Sequence, residues 1–316
     1  MKRKQQIGFT LIETMASLAV LVGVSAIVMT GMNRMMTTQG TISNRTEMHT
    51  SVRSATELLE QEIGQAGRIS LAPAGANVTL AAGVAVGAAV PFTLLPVNAN
   101  VFPGEQLVVD SGNNQETVTV TGTVAAPTAA FTIIHAANVP VTVLGGFASG
   151  VVPPTAAPAN YANGSTGTVL KLYGDINGDG NMVYVEYTCQ QGTAANPGFL
   201  YRNQMAFDAA AKPAVDNSKI LLNNVLANPN DPNNNPVPCF SYQVLPSGPD
   251  YYVVDVAVTL TEQTQSPDPQ TQQFQNETKA LLNVSPRNVF YTYQLAGLSL
   301  TSRVQPMPAS VTNLLP

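Results

Sequence analysis

The chain has 316 residues, of which 45% are hydrophobic and only 10% charged, and 14 Lys+Arg against 19 Asp+Glu give a net charge of −5. That balance argues against general binding to a nucleic-acid backbone, and loss of residues 1–8 with Lys2, Arg3 and Lys4 would carry −5 to −8. The length is ample for a buried core, as one domain with an inserted subdomain or as two small domains.

Residues 9–29 form an apolar run of 21 positions in which Glu13 is the one ionisable side chain. As a helix it is long enough to cross about 30 Å of hydrocarbon. Lys2, Arg3 and Lys4 precede it, favour cytoplasmic retention and send the C-terminal bulk outward. A secretory signal would have a shorter apolar core and a small-residue cleavage site, so the run reads as a retained anchor. Glu13 lies near its start, where an unpaired carboxylate in lipid costs roughly 2 to 3 kcal/mol or more; it either finds a partner or snorkels to the headgroups.

Residues 30–69 continue as an amphipathic stalk helix. Val52, Ala55, Leu59, Ile63 and Ala66 recur at three- and four-residue intervals, a stripe predicted to lie against a globular head. Helix from Phe9 to Arg68 would extend about 90 Å, so its outer half needs tertiary support. Gly31 and Gly40 are the expected places for bending or melting, and Met29, Met32, Met35 and Met36 form an adaptable contact surface at the membrane exit.

Residues 70–166 read as an irregular connection, with room for one short strand before Val101, carrying an inserted β module. Alternation around Gly and Asn turns places that module at about residues 102–144. A Pro- and Gly-rich linker leads to a C-terminal β domain over 167–316. There the run 251–261 alternates Val254, Val256, Val258 and Leu260 with polar or small residues, predicting a strand with one core face. The polar stretch EQTQSPDPQTQQFQNETK reads as a mobile excursion, and the last residues as a loose tail.

Within this domain Asp175, Asn177 and Asp179 stand at positions 1, 3 and 5 of a calcium-loop spacing. Gly180 supplies the turn, Asn181 a backbone carbonyl at 7 and Glu186 the carboxylate at 12. The flanks look like strands, so this would be a calcium-capable turn holding a structural Ca2+, or an Asx- and Gly-rich turn that satisfies its own backbone. Alternation also turns Glu186 toward one sheet face, away from the loop. Cys189 and Cys239, both outside the membrane in this topology, would close a disulfide in an oxidising compartment; two separate buried thiols are the alternative. His49 on the stalk and His135 in the module make no metal-ligand pair at i, i+4 and no Ser-His-Asp set, so the sequence predicts no enzyme and requires no cofactor.

The leader KRKQQIG followed by FTLIETMASLAVLVGVSAIVM resembles the signal of type IV prepilins and type II secretion pseudopilins. The resemblance implies cleavage between Gly8 and Phe9 by a prepilin peptidase/N-methyltransferase, which methylates the new Phe9 amine. Glu13, at the fifth mature position, would then pair with the terminal amine of a neighbouring subunit. Further along, KLYGDINGDGN, VYVEYTC, CFSYQV, VVDVAVTLTEQTQ and ALLNVSPRNV, in that order, resemble the C-terminal domain of PilW-type and J-type minor subunits, ending in the pair Arg287-Asn288. The implied fold is α+β, a long N-terminal helix packed on an antiparallel pilin-like head. The implied setting is the bacterial inner membrane with the head periplasmic, and the pilus after assembly. The implied partners are major and minor pilins or pseudopilins and the inner-membrane assembly platform. A minor pilin, a J-type pseudopilin and a pilus-borne adhesion or DNA-uptake receptor are the functions to separate.

Overall fold

The structure, a computed structural model, describes residues 10–68, 70–71, 76–96, 101–147, 149–154, 162–247 and 250–316. One helix, α1 (Leu11–Gln65), takes up 55 residues, about 80 Å. It opens on a capping box in which Thr10 and Glu13 satisfy each other's backbone N–H groups. It runs unbroken through Gly31 and Gly40, the two positions where the sequence would allow local melting. Gly40 instead makes room for a neighbour: a Cβ there would stand 2.9 Å from Pro269 Cγ.

The inserted module contains β1 (Thr79–Leu80), β2 (Gly87–Pro91), β3 (Leu94–Leu95), β4 (Gln106–Val109), β5 (Glu116–Gly122), β6 (Pro127–Phe131), β7 (Val141–Val143) and β8 (Gly146–Phe147). Five of these form an antiparallel sheet in the order β2-β6-β5-β4-β7, and β1 pairs β3. Leu107, Val109, Val118, Val120 and Phe131 fill its core. The sheet begins earlier than the alternation indicated. β2 is built from Gly87, Ala88, Ala89, Val90 and Pro91, which carry little strand propensity but suffice for an edge where only one side is paired.

The head comprises β9 (Val169–Gly174), β10 (Val183–Gln190), β11 (Gly198–Ala206), β12 (Ile220–Leu226), β13 (Phe240–Ser247), β14 (Asp250–Gln263) and β15 (Asn276–Val284). All pairings are antiparallel. β9 to β12 are neighbours in chain order, while β14 pairs with β12, β13 and β15. The stalk stripe lies on one face of this sheet: Val52, Ala55, Leu59, Ile63 and Ala66 are each at most 1% exposed and join Leu172, Tyr187, Val256 and Leu260 in one core. The stripe legible in the sequence is therefore the docking face.

Two expectations for this region change. Val254 does not share a face with Val256 and Leu260. The ladder pairs Gln243 with Asp255 and Val244 with Val253, leaving Val254 as the extra residue of a bulge. One added residue reverses the faces, so Val253 meets the helix and Val254 the opposite side, beside Tyr252 and Val289. The polar stretch after Gln263 is an ordered strap. Asp268 caps its turn through the N–H groups of Gln270 and Thr271 (2.7 and 3.0 Å), and Asn44 and Arg45 of the helix reach Ser266 O (3.3 Å) and Gln275 Oε1 (2.5 Å).

The tail is also packed. α2 (Val289–Gly297) covers Tyr252 and Val254, β16 (Val304–Gln305) pairs parallel to β8, and α3 (Ala309–Leu314) buries Val311 and Leu314. Gln305, 3% exposed, donates to Gln106 O (3.0 Å) and Leu144 O (2.5 Å) and accepts from Gln106 N (2.8 Å), tying the tail to the module.

Candidate functional site

Among the described residues the N-terminal half of α1 meets no other element. Leu11, Ile12, Met15, Leu18, Leu21 and Ile27 are all more than 60% exposed. Among the described residues this is the one helix long and apolar enough to cross a membrane. Met32, Met35 and Met36 extend the exposed apolar surface beyond it. Gly8 and Phe9 lie outside the described residues. Glu13 has a local partner that the two sequence readings did not include: its Oε2 accepts from Thr10 N (3.1 Å) and Thr10 Oγ1 (3.0 Å). The signal was present as Thr10-Leu11-Ile12-Glu13, the spacing of a capping box.

Where the helix ends, three segments cross. Gly67 N donates to Tyr173 O (2.9 Å), Asp175 N to Gly67 O (3.0 Å) and Tyr173 N to Gly150 O (2.8 Å). The backbones approach so closely that a Cβ on Gly150 would stand 1.9 Å from Gly67 N, and one on Gly174 2.3 Å from Gly67 O. Beside the crossing, Arg68 and Glu105 form a buried ion pair between the helix exit and the module. Burial pushes the Glu105 carboxyl up, against the pull of Arg68. Arg287 N donates to Gly64 O (3.1 Å) and Asn288 Nδ2 to Ala66 O (3.3 Å), so Arg287-Asn288 closes the C-terminal end of α1.

Asp175 follows this crossing. Its Oδ1 accepts from Asp179 N and its Oδ2 from Gly180 N, each at 3.0 Å, and Asp179 Oδ1 accepts from Asn181 N (2.9 Å). Burial pushes the Asp175 carboxyl up. Glu186 sits in mid-strand opposite Lys171 and Asn203, and its Oε2 accepts from Tyr184 OH (2.8 Å) and Lys212 Nζ (2.7 Å). The twelfth-position carboxylate is thus committed elsewhere. Among the described residues no group of three or more His, Cys, Asp or Glu side chains is gathered as a metal site; that leaves aside the Asn side chains and the backbone carbonyl of the 175–181 turn.

Cys189 and Cys239 are bonded, with Cα atoms 6.4 Å apart and both residues at most 2% exposed. Their strands meet where Cys189 N donates to Thr168 O (2.8 Å) and Phe240 N to Gly167 O (3.0 Å). His135, in the module, is 1% exposed and lies between two carboxylates, Nδ1 at 3.1 Å from Asp110 Oδ2 and Nε2 at 2.8 Å from Glu116 Oε1. The sequence offered no sign of this brace, because Asp110 and Glu116 come together with His135 only once β5 and β6 pair.

A long exposed apolar helix whose outer half docks on an antiparallel β head, disulfide-bonded and enlarged by an inserted sheet, defines a membrane-associated protein of pilin-like architecture. No family model, curated protein or solved structure matches the chain.

Proposed function

We propose that the chain is a minor pilin, incorporated in a type IV pilus or priming its assembly after cleavage behind Gly8 and methylation of Phe9. The observation that carries this reading is the register of the KRKQQIG-FTLIE signal ahead of one continuous helix, largely apolar and exposed from Leu11 to Met36 and docked on the head from Gly40 onward. An exposed apolar helix of this length needs lipid before assembly and other subunits after it. In this reading the capping contact of Glu13 with Thr10 satisfies the carboxylate in the monomer and is exchanged for a neighbour's terminal amine in the fibre. The prepilin peptidase, the assembly platform, and major and minor pilins are the partners implied.

The inserted module favours a pilus over a secretion machine, since it adds a second sheet to a head that is already closed by its own disulfide. The test is gentle crosslinking in membranes, affinity purification and mass spectrometry of the bait terminus and its partners. N-methylated Phe9 with pilins supports the proposal. The same terminus with secretion pseudopilins moves the chain to the J-type role, and an intact Met1 overturns the prepilin reading.

A further inference from the structure

Glu262 is a carboxylate buried where the stalk helix meets the head. It is 5% exposed, on β14 beneath α1, and both of its oxygens accept from Ser51 Oγ, at 2.9 and 3.0 Å. Directly across the ladder on β15 stands Glu277, and Glu47 lies one helical turn before Ser51. Like charges placed opposite each other on neighbouring strands repel. The basic side chains near this face are His49 on α1, already paired with Glu277, and Lys279 on β15, opposite Leu260; Arg45 is held by Gln275. The β12 wall, Leu221 to Asn224, carries no charge, and a cavity of about 280 Å³ opens between it, the helix and Glu262.

We propose that Glu262 is a proton-sensitive latch between stalk and head: neutral, it lies buried beneath the helix without charge repulsion and the interface stays closed; ionised between Glu47 and Glu277, it loosens the Asn44–Thr56 segment and opens the cavity beside it. Burial, opposed by the Ser51 hydrogen bond and reinforced by those two glutamates, pushes the Glu262 carboxyl up to about 7. A carboxyl raised in the folded state keeps its proton there longer than in the open state, so docking is strongest at acid pH and weakens as pH rises from the ordinary carboxylate range to about 7. The proposal is independent of which machine the protein serves.

The test is hydrogen exchange of residues 44–56 in the full chain in detergent micelles from pH 5 to 8.5, corrected for intrinsic exchange. The expected result is an opening equilibrium that rises with pH by on the order of a hundredfold, a flat profile in Glu262→Gln, and a midpoint displaced to lower pH in Glu47→Gln, which leaves Glu262 in place. His49 lies on the same face and pairs with Glu277, so His49→Gln is the control, and it should retain the wild-type rise. A flat wild-type profile, an unchanged rise in Glu262→Gln or a rise abolished in His49→Gln overturns the proposal.

Discussion

Arg202 on β11 grips Glu62 of the stalk helix from the sheet side, its Nε 3.0 Å from Glu62 Oε1, and Tyr187 OH completes the site at 2.5 Å from Oε2. Glu62 is 4% exposed and the Arg202 side chain 22%, so the carboxylate is buried while the guanidinium keeps some access to solvent. Burial and the adjacent carboxylate push the Tyr187 hydroxyl well above its ordinary range, which keeps it a donor at all ordinary pH. Glu62→Ala leaves a part-exposed guanidinium held only by Gln204 and a buried Tyr187 hydroxyl without its acceptor, and should cost about 2 kcal/mol. The urea midpoint should fall with an unchanged slope, and Glu62→Leu combined with Arg202→Met should recover part of the loss.

The disulfide should matter to a similar degree. Cys189 and Cys239 are 50 residues apart, and closing such a loop stabilises by about 3 to 4 kcal/mol in the chain-entropy model. Cys189→Ser with Cys239→Ser should unfold correspondingly earlier in denaturant, and reductant should shift the wild type but not the double variant.

These two contacts show what was legible in the sequence. The apolar stripe from Val52 to Ala66 and the two cysteines could be read because spacing and compartment determine them locally. Glu62 could not, since it lies one position from Ile63 on a helix and declares itself buried only when Arg202 and Tyr187 arrive from strands more than a hundred residues away. Val254 misled for a related reason: its alternation was regular, and the bulge that reverses it is set by the pairing with β13. At the N-terminus the capping box was legible in Thr10-Leu11-Ile12-Glu13, but the apolar context drew attention to the cost of the charge instead of its local donor.

The glycine crossing predicts a sharp contrast among glycines of similar backbone. Gly150 (φ +72°) and Gly178 (φ +69°) both adopt left-handed conformations, but a Cβ on Gly150 strikes Gly67 while one on Gly178 meets nothing within 4 Å. Gly178→Ala should cost about 1 kcal/mol. Gly150→Ala should break the junction and expose the chain near residues 147–152 to limited proteolysis.

His135 predicts acid sensitivity of the module. Asp110 is held below the ordinary carboxylate range by His135, with help from Ser111 N. Burial pushes Glu116 up, but hydrogen bonds from Thr132 and His135 outweigh it and hold the group low. Carboxyls depressed in the folded state contribute stability above their unfolded values and lose it as pH falls through the depressed ones. Melting followed from pH 6 to 2 should decline more steeply in wild type than in His135→Gln, which starts from a lower plateau.

Glu13→Ala should leave membrane insertion intact and reduce incorporation into the fibre, measured as the ratio of sheared to membrane-bound protein. Normal incorporation would sink the assembly role given to Glu13.

The chain leaves the head at Gly67 and re-enters it at Gly150, and these two residues touch. The two ends of the intervening segment are thus held together, and the Arg68–Glu105 pair, the β8–β16 pairing and the Gln305 bonds fasten it again to the helix exit and the tail, so an exchanged module would have to keep those three fastenings. A scaffold so arranged can vary the outer strands of its module, β2, β5 and β6, while the residues that fasten the module to helix and tail stay as they are.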